Sequence, residues 1–289
     1  MLRLFSSMPS ASSIASISAF LLGTLLSAQA QDDTRIVFEV ANASRAVPVS
    51  NLSLAGDQYQ IKAAADGLVA GQKIPKSAAS HVQGELPADV NKAIALILME
   101  KPLDAIKLLE PIVESQKITA GLPGNHWDPA ARATLVAYGL IGSADKCNAL
   151  GQAISDSTPE PGTDPIVSLG KVLLLPFSTP LDARLEALSS LINESSPAEV
   201  SAYASFNRGL RLMKAKRDAE AREAFLIIPC VYPTGGSIIN GVAEMNAAQL
   251  LSEEPGRREE AVALLTSAAT YTQGTPAGEE AEKRLKSLK

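Results

Sequence analysis

The chain has 289 residues, 46% of them hydrophobic, which is enough to bury the core of one large domain or two modest ones. Its net charge of −5 is mild, and no stripe of Lys and Arg runs along it, which argues against a nucleic-acid-binding protein. Aromatic residues make up only 4%, while Ala and Leu are abundant, a composition that favours helices.

Residues 1–30 predict a signal peptide. Arg3 supplies a positive start, an apolar run extends from Ile14 to Leu26, and small residues ending at Ala30 form a cleavage site. A retained membrane anchor is the alternative, but the run is shorter than the ~20 apolar residues that a membrane-spanning helix needs. We therefore expect an exported protein, periplasmic or extracellular, that starts at Gln31 after cleavage and keeps no membrane span.

Residues 31–85 predict a small β-unit. Short runs of alternating apolar and polar residues at Arg35–Val40, Ala46–Leu54 and Gln58–Ala63 are separated by Gly and Asp turns, which indicates about three to five antiparallel strands. A unit of this size is marginal alone, so we expect it to dock on the residues that follow. Its ending, Ile74 to Ser77, is similar to that of small SH3-like or Sm-like β-modules that precede helical repeats in some exported bacterial proteins.

Residues 86–289 predict paired helices, and the clearest pair begins at Tyr203. Apolar residues recur along its first helix at spacings of three or four, the period of one helical face. This stripe consists of Tyr203, Phe206, Leu210 and Met213. In the second helix Ala221 and Phe225 share a face, and Pro229 is expected to end the helix.

The spacing in this pair resembles the tetratricopeptide repeat. Gly209 stands in the first helix, Ala221 follows twelve residues later and is expected to face it, Phe225 comes four residues after that, and Pro233 closes the hairpin. One such hairpin cannot bury its own apolar face, so the resemblance implies an array of neighbours with a concave surface for protein contact.

Alanines in the second helices mark a repeat of about 39 residues. They are Ala105, Ala183, Ala221 and Ala261. One more pair fits between the first two alanines, with Ala144 or Cys147 at its marker position. We therefore predict a mostly α fold: an α-α superhelix of about five tetratricopeptide-like helix pairs and a charged capping helix, preceded by the small antiparallel β-unit.

The sequence offers no cluster of residues typical of catalysis or of metal binding. His81 and His126 lie on different modules, and Cys147 and Cys230 are too far apart in sequence to complete a zinc site. We predict no catalytic residue, no cofactor and no metal. The two cysteines should be unpaired, because stacked helices about two repeats apart hold their Cα atoms beyond the ~7 Å that a disulfide allows.

Two segments have both a structural and a functional interpretation. His126-Trp127-Asp128 could take part in catalysis, but we favour a loop aromatic that fills the space between the first two pairs, with Asp128 as a helix N-cap. A basic cluster is either a solvated face, because acidic residues accompany it, or a site for an anionic partner. It consists of Arg208, Arg211, Lys214, Lys216 and Arg217.

The leading functional hypothesis is a non-enzymatic scaffold, exported to the bacterial cell envelope or periplasm, that binds another protein or peptide. The stripe from Tyr203 to Met213 either packs against the preceding repeat or lines the groove that receives this partner. Two alternatives remain: an enzyme acting on cell-wall polymers at a site between the β-module and the repeats, and a self-assembling structural component of the envelope.

Overall fold

The computed structural model describes residues 33–40, 42–158 and 164–288, which from Asp33 onward form one compact unit. The signal peptide predicted for residues 1–30 lies outside the described residues. No helix in the described part of the chain is both long and apolar enough to cross a membrane.

In the described residues six short strands form two three-stranded antiparallel sheets, in the orders β2-β1-β6 and β3-β4-β5. They are β1 (Arg35–Val40), β2 (Ala43–Pro48), β3 (Leu52–Ala55), β4 (Gln58–Ile61), β5 (Lys73–Pro75) and β6 (Ala79–Gln83). The count exceeds the predicted range because a 3₁₀ turn at Val49–Asn51 divides the Ala46–Leu54 run. The chain passes from the first sheet to the second at this turn.

The β-unit docks on the helical part, as its small size predicts. Its core centres on Phe38 and Tyr59, whose rings meet edge to face with centroids 5.2 Å apart. The Tyr59 hydroxyl donates a hydrogen bond to the carbonyl of Ile118 at 3.1 Å, and the Val82 N–H donates to the carbonyl of Pro123 at 2.9 Å. Ile118 also packs against the apolar core of the strands.

Eleven α-helices follow in the described residues, as five consecutive pairs and a terminal helix, which confirms the predicted mostly helical fold with an N-terminal β-unit. The pairs are α1 (Ala88–Leu98) with α2 (Pro102–Gln116), α3 (Trp127–Leu140) with α4 (Ala144–Ser157), α5 (Pro165–Leu173) with α6 (Leu181–Ser189), α7 (Ala198–Lys214) with α8 (Asp218–Val231), and α9 (Ser237–Ser252) with α10 (Arg258–Tyr271); α11 spans Pro276–Leu288.

Three of the five pairs share one turn between their helices. In each, a residue with positive φ follows the first helix: Glu100, Gly142 or Lys216. The next residue donates its N–H to a carbonyl five residues back, for example from Lys101 to Leu96 at 2.8 Å. This is the hydrogen bond of a Schellman helix end, and its recurrence shows that the pairs repeat in structure as well as in sequence.

The third pair departs from this pattern. Its helices are joined by residues 174–180 instead of a three-residue turn, and α6 has only nine residues. Ala183, expected at a buried marker position, is exposed, and Leu185 and Leu188 are buried in its place. The predicted alanine marker is therefore wrong in this pair, because the long connection shifts the buried face of α6.

Details of the helix markers also differ from the prediction. A Cβ on Gly209 would lie 2.7 Å from the Phe225 ring, so Gly209 faces Phe225 rather than Ala221, although Ala221 is fully buried. Pro229 lies inside α8 and does not end it. At the second marker Cys147 is buried while Ala144 is exposed.

The first helix of each pair lies on the inner side of the array. Contacts run from α1 to α3, α5, α7 and α9 in turn, and α1 also contacts α9, so the inner helices close a circuit. An ion pair between Lys214 at the end of α7 and Glu100 just after α1 also links two helices of this circuit. This arrangement gathers the C-terminal ends of several inner helices in one place.

Candidate functional site

A groove with a volume of about 630 Å³ lies where the C-terminal ends of α1, α3, α5 and α7 converge with the start of α6. Pockets that bind small molecules or short segments commonly have volumes of ~300–1,000 Å³. The groove opens beside the irregular third pair, because its connection at residues 174–180 replaces the compact turn found in three other pairs.

Most of the groove wall is apolar. Leucine and isoleucine side chains from three inner helices and from the long connection supply this surface: Ile97, Leu98, Leu140, Leu174, Leu175 and Leu210. Phe177, in the same connection, is 91% exposed at the edge of the groove. An aromatic ring in water beside an apolar groove is a typical contact surface for another molecule.

Two arginines face this groove without a carboxylate partner among the described residues. Arg184 lies on α6 and Arg211 lies in the last turn of α7. The Nε of Arg184 and the Nη1 of Arg211 are shielded from solvent and have no hydrogen-bond partner in the described part of the chain. Burial, and then the nearby charge of Arg184, lower the pKa of Arg211.

The remaining charged residues that line the groove neutralise each other. Glu100 and Lys214 form an ion pair at its edge. Arg184 also lies over the ring of Phe177, 5.7 Å from the centroid, in a cation–π contact. The groove therefore combines an apolar wall with two guanidinium groups whose charge no carboxylate of its lining balances.

Only two of the four residues of the predicted stripe line the groove. Phe206 and Leu210 line the groove, although Phe206 is almost fully buried and meets Phe225 with ring centroids 5.5 Å apart. Tyr203 is buried in the core, and Met213 is half-buried against it outside the groove. The stripe thus combines core positions with groove positions, and Leu210 is its most accessible member in the groove.

The predicted basic cluster is likewise divided. Lys214 pairs with Glu100, and Arg217 pairs with Glu220 and Asp182. Arg211 has no such partner and turns into the groove. Sequence reasoning missed Arg184, because its position beside Arg211 depends on how α6 packs against α7.

At the opposite ends of the inner helices the charges are paired. Arg132 on α3 donates through Nη1 to Asp164, the N-cap of α5, at 2.6 Å, and through Nε to Glu199 on α7 at 2.7 Å. Burial raises the pKa of Glu199, which Arg132 opposes. Burial also raises the pKa of nearby Asp128. This network joins three helices and lies outside the groove described above.

The packing of the segment at His126 agrees with the structural interpretation except in two details. Trp127 is buried, as the structural interpretation expects, but in the first turn of α3 rather than in a loop. Asp128 is not the N-cap. Its backbone N–H donates to the side chain of Asn125 at 2.7 Å, so Asn125 supplies the capping oxygen. His126 makes a buried hydrogen bond between Nδ1 and the Thr34 hydroxyl at 3.1 Å, which ties α3 to the β-unit.

The described residues contain no group of three or more His, Cys, Asp or Glu side chains that could hold a metal ion. Cys147 is buried, Cys230 is exposed, and neither takes part in a disulfide, which confirms the unpaired thiols. No protein-family model matches this chain, and comparisons with curated proteins and with solved structures found no match either.

Proposed function

We propose that this chain is a non-enzymatic interaction protein, a tetratricopeptide-like array that binds a segment of another protein in the groove at the C-terminal ends of its inner helices. The observation that carries the proposal is the groove itself. It has a volume of about 630 Å³, an apolar wall built by several repeats, and the exposed ring of Phe177 at its side. Arrays of helix pairs commonly bind extended segments on such inner surfaces.

Export to the cell envelope or periplasm is part of this proposal. It rests on the sequence of residues 1–30, with a positive start, an apolar run and a small-residue cleavage site. Detection of a mature form that begins at Gln31 in the exported fraction would test it. An unprocessed chain that stays in the cytoplasm would contradict it.

The binding proposal is tested by one matched pair of variants. Leu210→Asn places a polar amide on the groove wall, whereas Met213→Asn makes the same change one turn along α7, outside the groove. We expect Leu210→Asn to weaken the binding of a pool of short, dye-labelled, apolar peptides by about tenfold, because an apolar contact is replaced by an amide that must be desolvated.

Met213→Asn should leave the affinity for the peptides unchanged while lowering the melting temperature, because Met213 packs against the core. Fluorescence anisotropy measures the affinity, and thermal melting measures the stability. Equal losses of affinity in the two variants would place the binding surface elsewhere. No binding to the unmodified protein would contradict the proposal itself.

A further inference from the structure

The electrostatics of the groove specify its occupant more closely than its apolar wall does. Arg184 and Arg211 are close enough that the charge of one lowers the pKa of the other, after the larger effect of burial. A guanidinium remains protonated in proteins, so the repulsion between the two arginines cannot be relieved by loss of a proton. Two like charges therefore face the same space, each with a shielded N–H that lacks an acceptor.

Nothing in the described part of the chain supplies the missing acceptor. The carboxylate of Glu100, which also lines the groove, is bound to Lys214. Asp182, near Arg184 in sequence, is bound to Arg217. A buried donor without an acceptor destabilises the protein, and the arrangement is accounted for when a ligand provides the acceptor.

On the basis of the proposed function, we propose that the groove selects a peptide segment that carries a carboxylate among apolar residues, and that Arg184 and Arg211 bind this carboxylate together. A guanidinium donates in a planar fork that matches the two oxygens of a carboxylate. Both guanidiniums stand beside the apolar wall, so the acidic group and its apolar neighbours bind at the same time.

A peptide fits the remaining groups of the groove better than an anionic lipid does. Asn207 lines the groove, and its side-chain carbonyl can accept a hydrogen bond from a peptide N–H, which a hydrocarbon chain does not offer. Glu100 and Lys214 neutralise each other at the edge, so the groove lining offers no further cation there to an anionic membrane surface. The carboxylate can come from an acidic side chain or from the C-terminus of the partner.

Three pools of short, dye-labelled, apolar peptides separate these sources. One pool has an internal Glu and an amidated C-terminus, the second an internal Gln and a free C-terminal carboxylate, and the third an internal Gln and an amidated C-terminus. We expect at least one acidic pool to bind the protein about tenfold more tightly than the neutral pool, as charge-assisted hydrogen bonds allow.

Variants assign this preference to the two arginines. Arg211→Gln and Arg184→Gln should abolish the preference for the acidic pool while still binding the neutral pool. Arg208→Gln removes the same charge one turn earlier on α7, outside the groove, and should keep the preference. Thermal melting of each variant verifies that it is folded.

The outcomes separate this inference from the proposed function. Equal binding of the three pools overturns the carboxylate preference but leaves the peptide groove in place. Binding of no pool overturns both. An equal loss of the preference in Arg208→Gln attributes it to general positive charge and overturns the inference. Arginine-dependent binding of phosphatidylglycerol vesicles, with no binding of peptides, identifies a lipid ligand and overturns it as well.

Discussion

The two ends of the inner helices differ in how their charged side chains are partnered. At the N-terminal ends Arg132 binds Asp164 and Glu199 directly. At the C-terminal ends Arg184 and Arg211 line the same groove with no carboxylate partner among the described residues. Asp164 and Glu199 lie at helix N-termini and Arg211 lies in a last turn, where the sign of each charge suits the helix dipole. Arg184 does not follow this rule, because it lies near the start of α6.

The difference lies in what each arrangement requires. The paired network is complete within the chain and connects three helices, so it stabilises the array. The arginine pair has no carboxylate partner among the described residues and borders open space, so it is suited to an external anion. The comparison therefore supports the proposal that paired charges stabilise one end of the array and that the arginines at the other end bind a partner.

Replacement of Arg132 tests this comparison with the largest expected effect. Arg132→Met keeps a long apolar side chain but leaves Asp164 and Glu199 without their cation. Removing one partner of a largely buried ion pair costs about 3–5 kcal/mol, because the remaining charge stays desolvated. Urea unfolding should show this loss in the free energy of unfolding.

Lys92→Met is the matched control for this variant. Lys92 pairs with Asp89 on α1, but both side chains are more than 40% exposed. Its loss should therefore cost no more than about 1 kcal/mol. If Arg132→Met costs no more than Lys92→Met, the network does not hold the helices together and the structural half of the comparison is wrong.

Replacement of Arg211 should change the free energy of unfolding in the opposite direction. Arg211→Met removes a shielded cation that has no acceptor and leaves an apolar side chain beside an apolar wall. We expect the free energy of unfolding to rise by about 1 kcal/mol, a modest gain because the side chain is partly exposed. The same variant should lose the preference for carboxylate peptides.

Arg208→Met serves as the control for this gain and should change stability by no more than about 0.5 kcal/mol, as surface substitutions do. A loss of stability in Arg211→Met would mean that the guanidinium is satisfied in solution. That outcome would assign Arg211 to the structural side of the comparison.

The fold was largely accessible from sequence because its signals are local. The 3.6-residue periodicity and the turn residues located the five helix pairs, and Ala105, Ala221 and Ala261 are all fully buried as their spacing predicts. Ala183 is exposed because the long connection before α6 shifts its register, and the markers contain no information about loop geometry.

The groove was only partly accessible from sequence. The apolar period along α7 pointed to Leu210, and the basic cluster contained Arg211, but the same cluster contained Lys214 and Arg217, which form ion pairs. Which cation remains unpaired depends on carboxylates distant in sequence, such as Glu100. The pairing of Arg184 with Arg211 across two helices has no sequence period that could reveal it.

A buried carboxylate elsewhere sharpens the comparison, because one of its oxygens has no partner among the described residues although it does not line the groove. Glu244 on α9 is only 7% exposed, and its Oε2 has no hydrogen-bond partner in the described residues. Burial raises its pKa, which a hydrogen bond with Ser267 opposes. If an unsatisfied charge marks a site only where there is space for a ligand, Glu244 is purely a cost to stability.

Glu244→Gln should therefore stabilise the protein at pH 7 by about 1 kcal/mol, without any change in peptide binding.

The gain in stability from Glu244→Gln depends on pH in a defined direction. A carboxyl whose pKa is raised by folding destabilises the folded state while it is ionised, and this penalty disappears as the pH falls through the raised folded pKa toward the ordinary value of 4.5. The difference in free energy of unfolding between Glu244→Gln and the unmodified protein should shrink accordingly. A gain that stays constant down to pH 4, or a loss of peptide binding in Glu244→Gln, would show that Glu244 is not the destabilising buried carboxylate that the comparison requires.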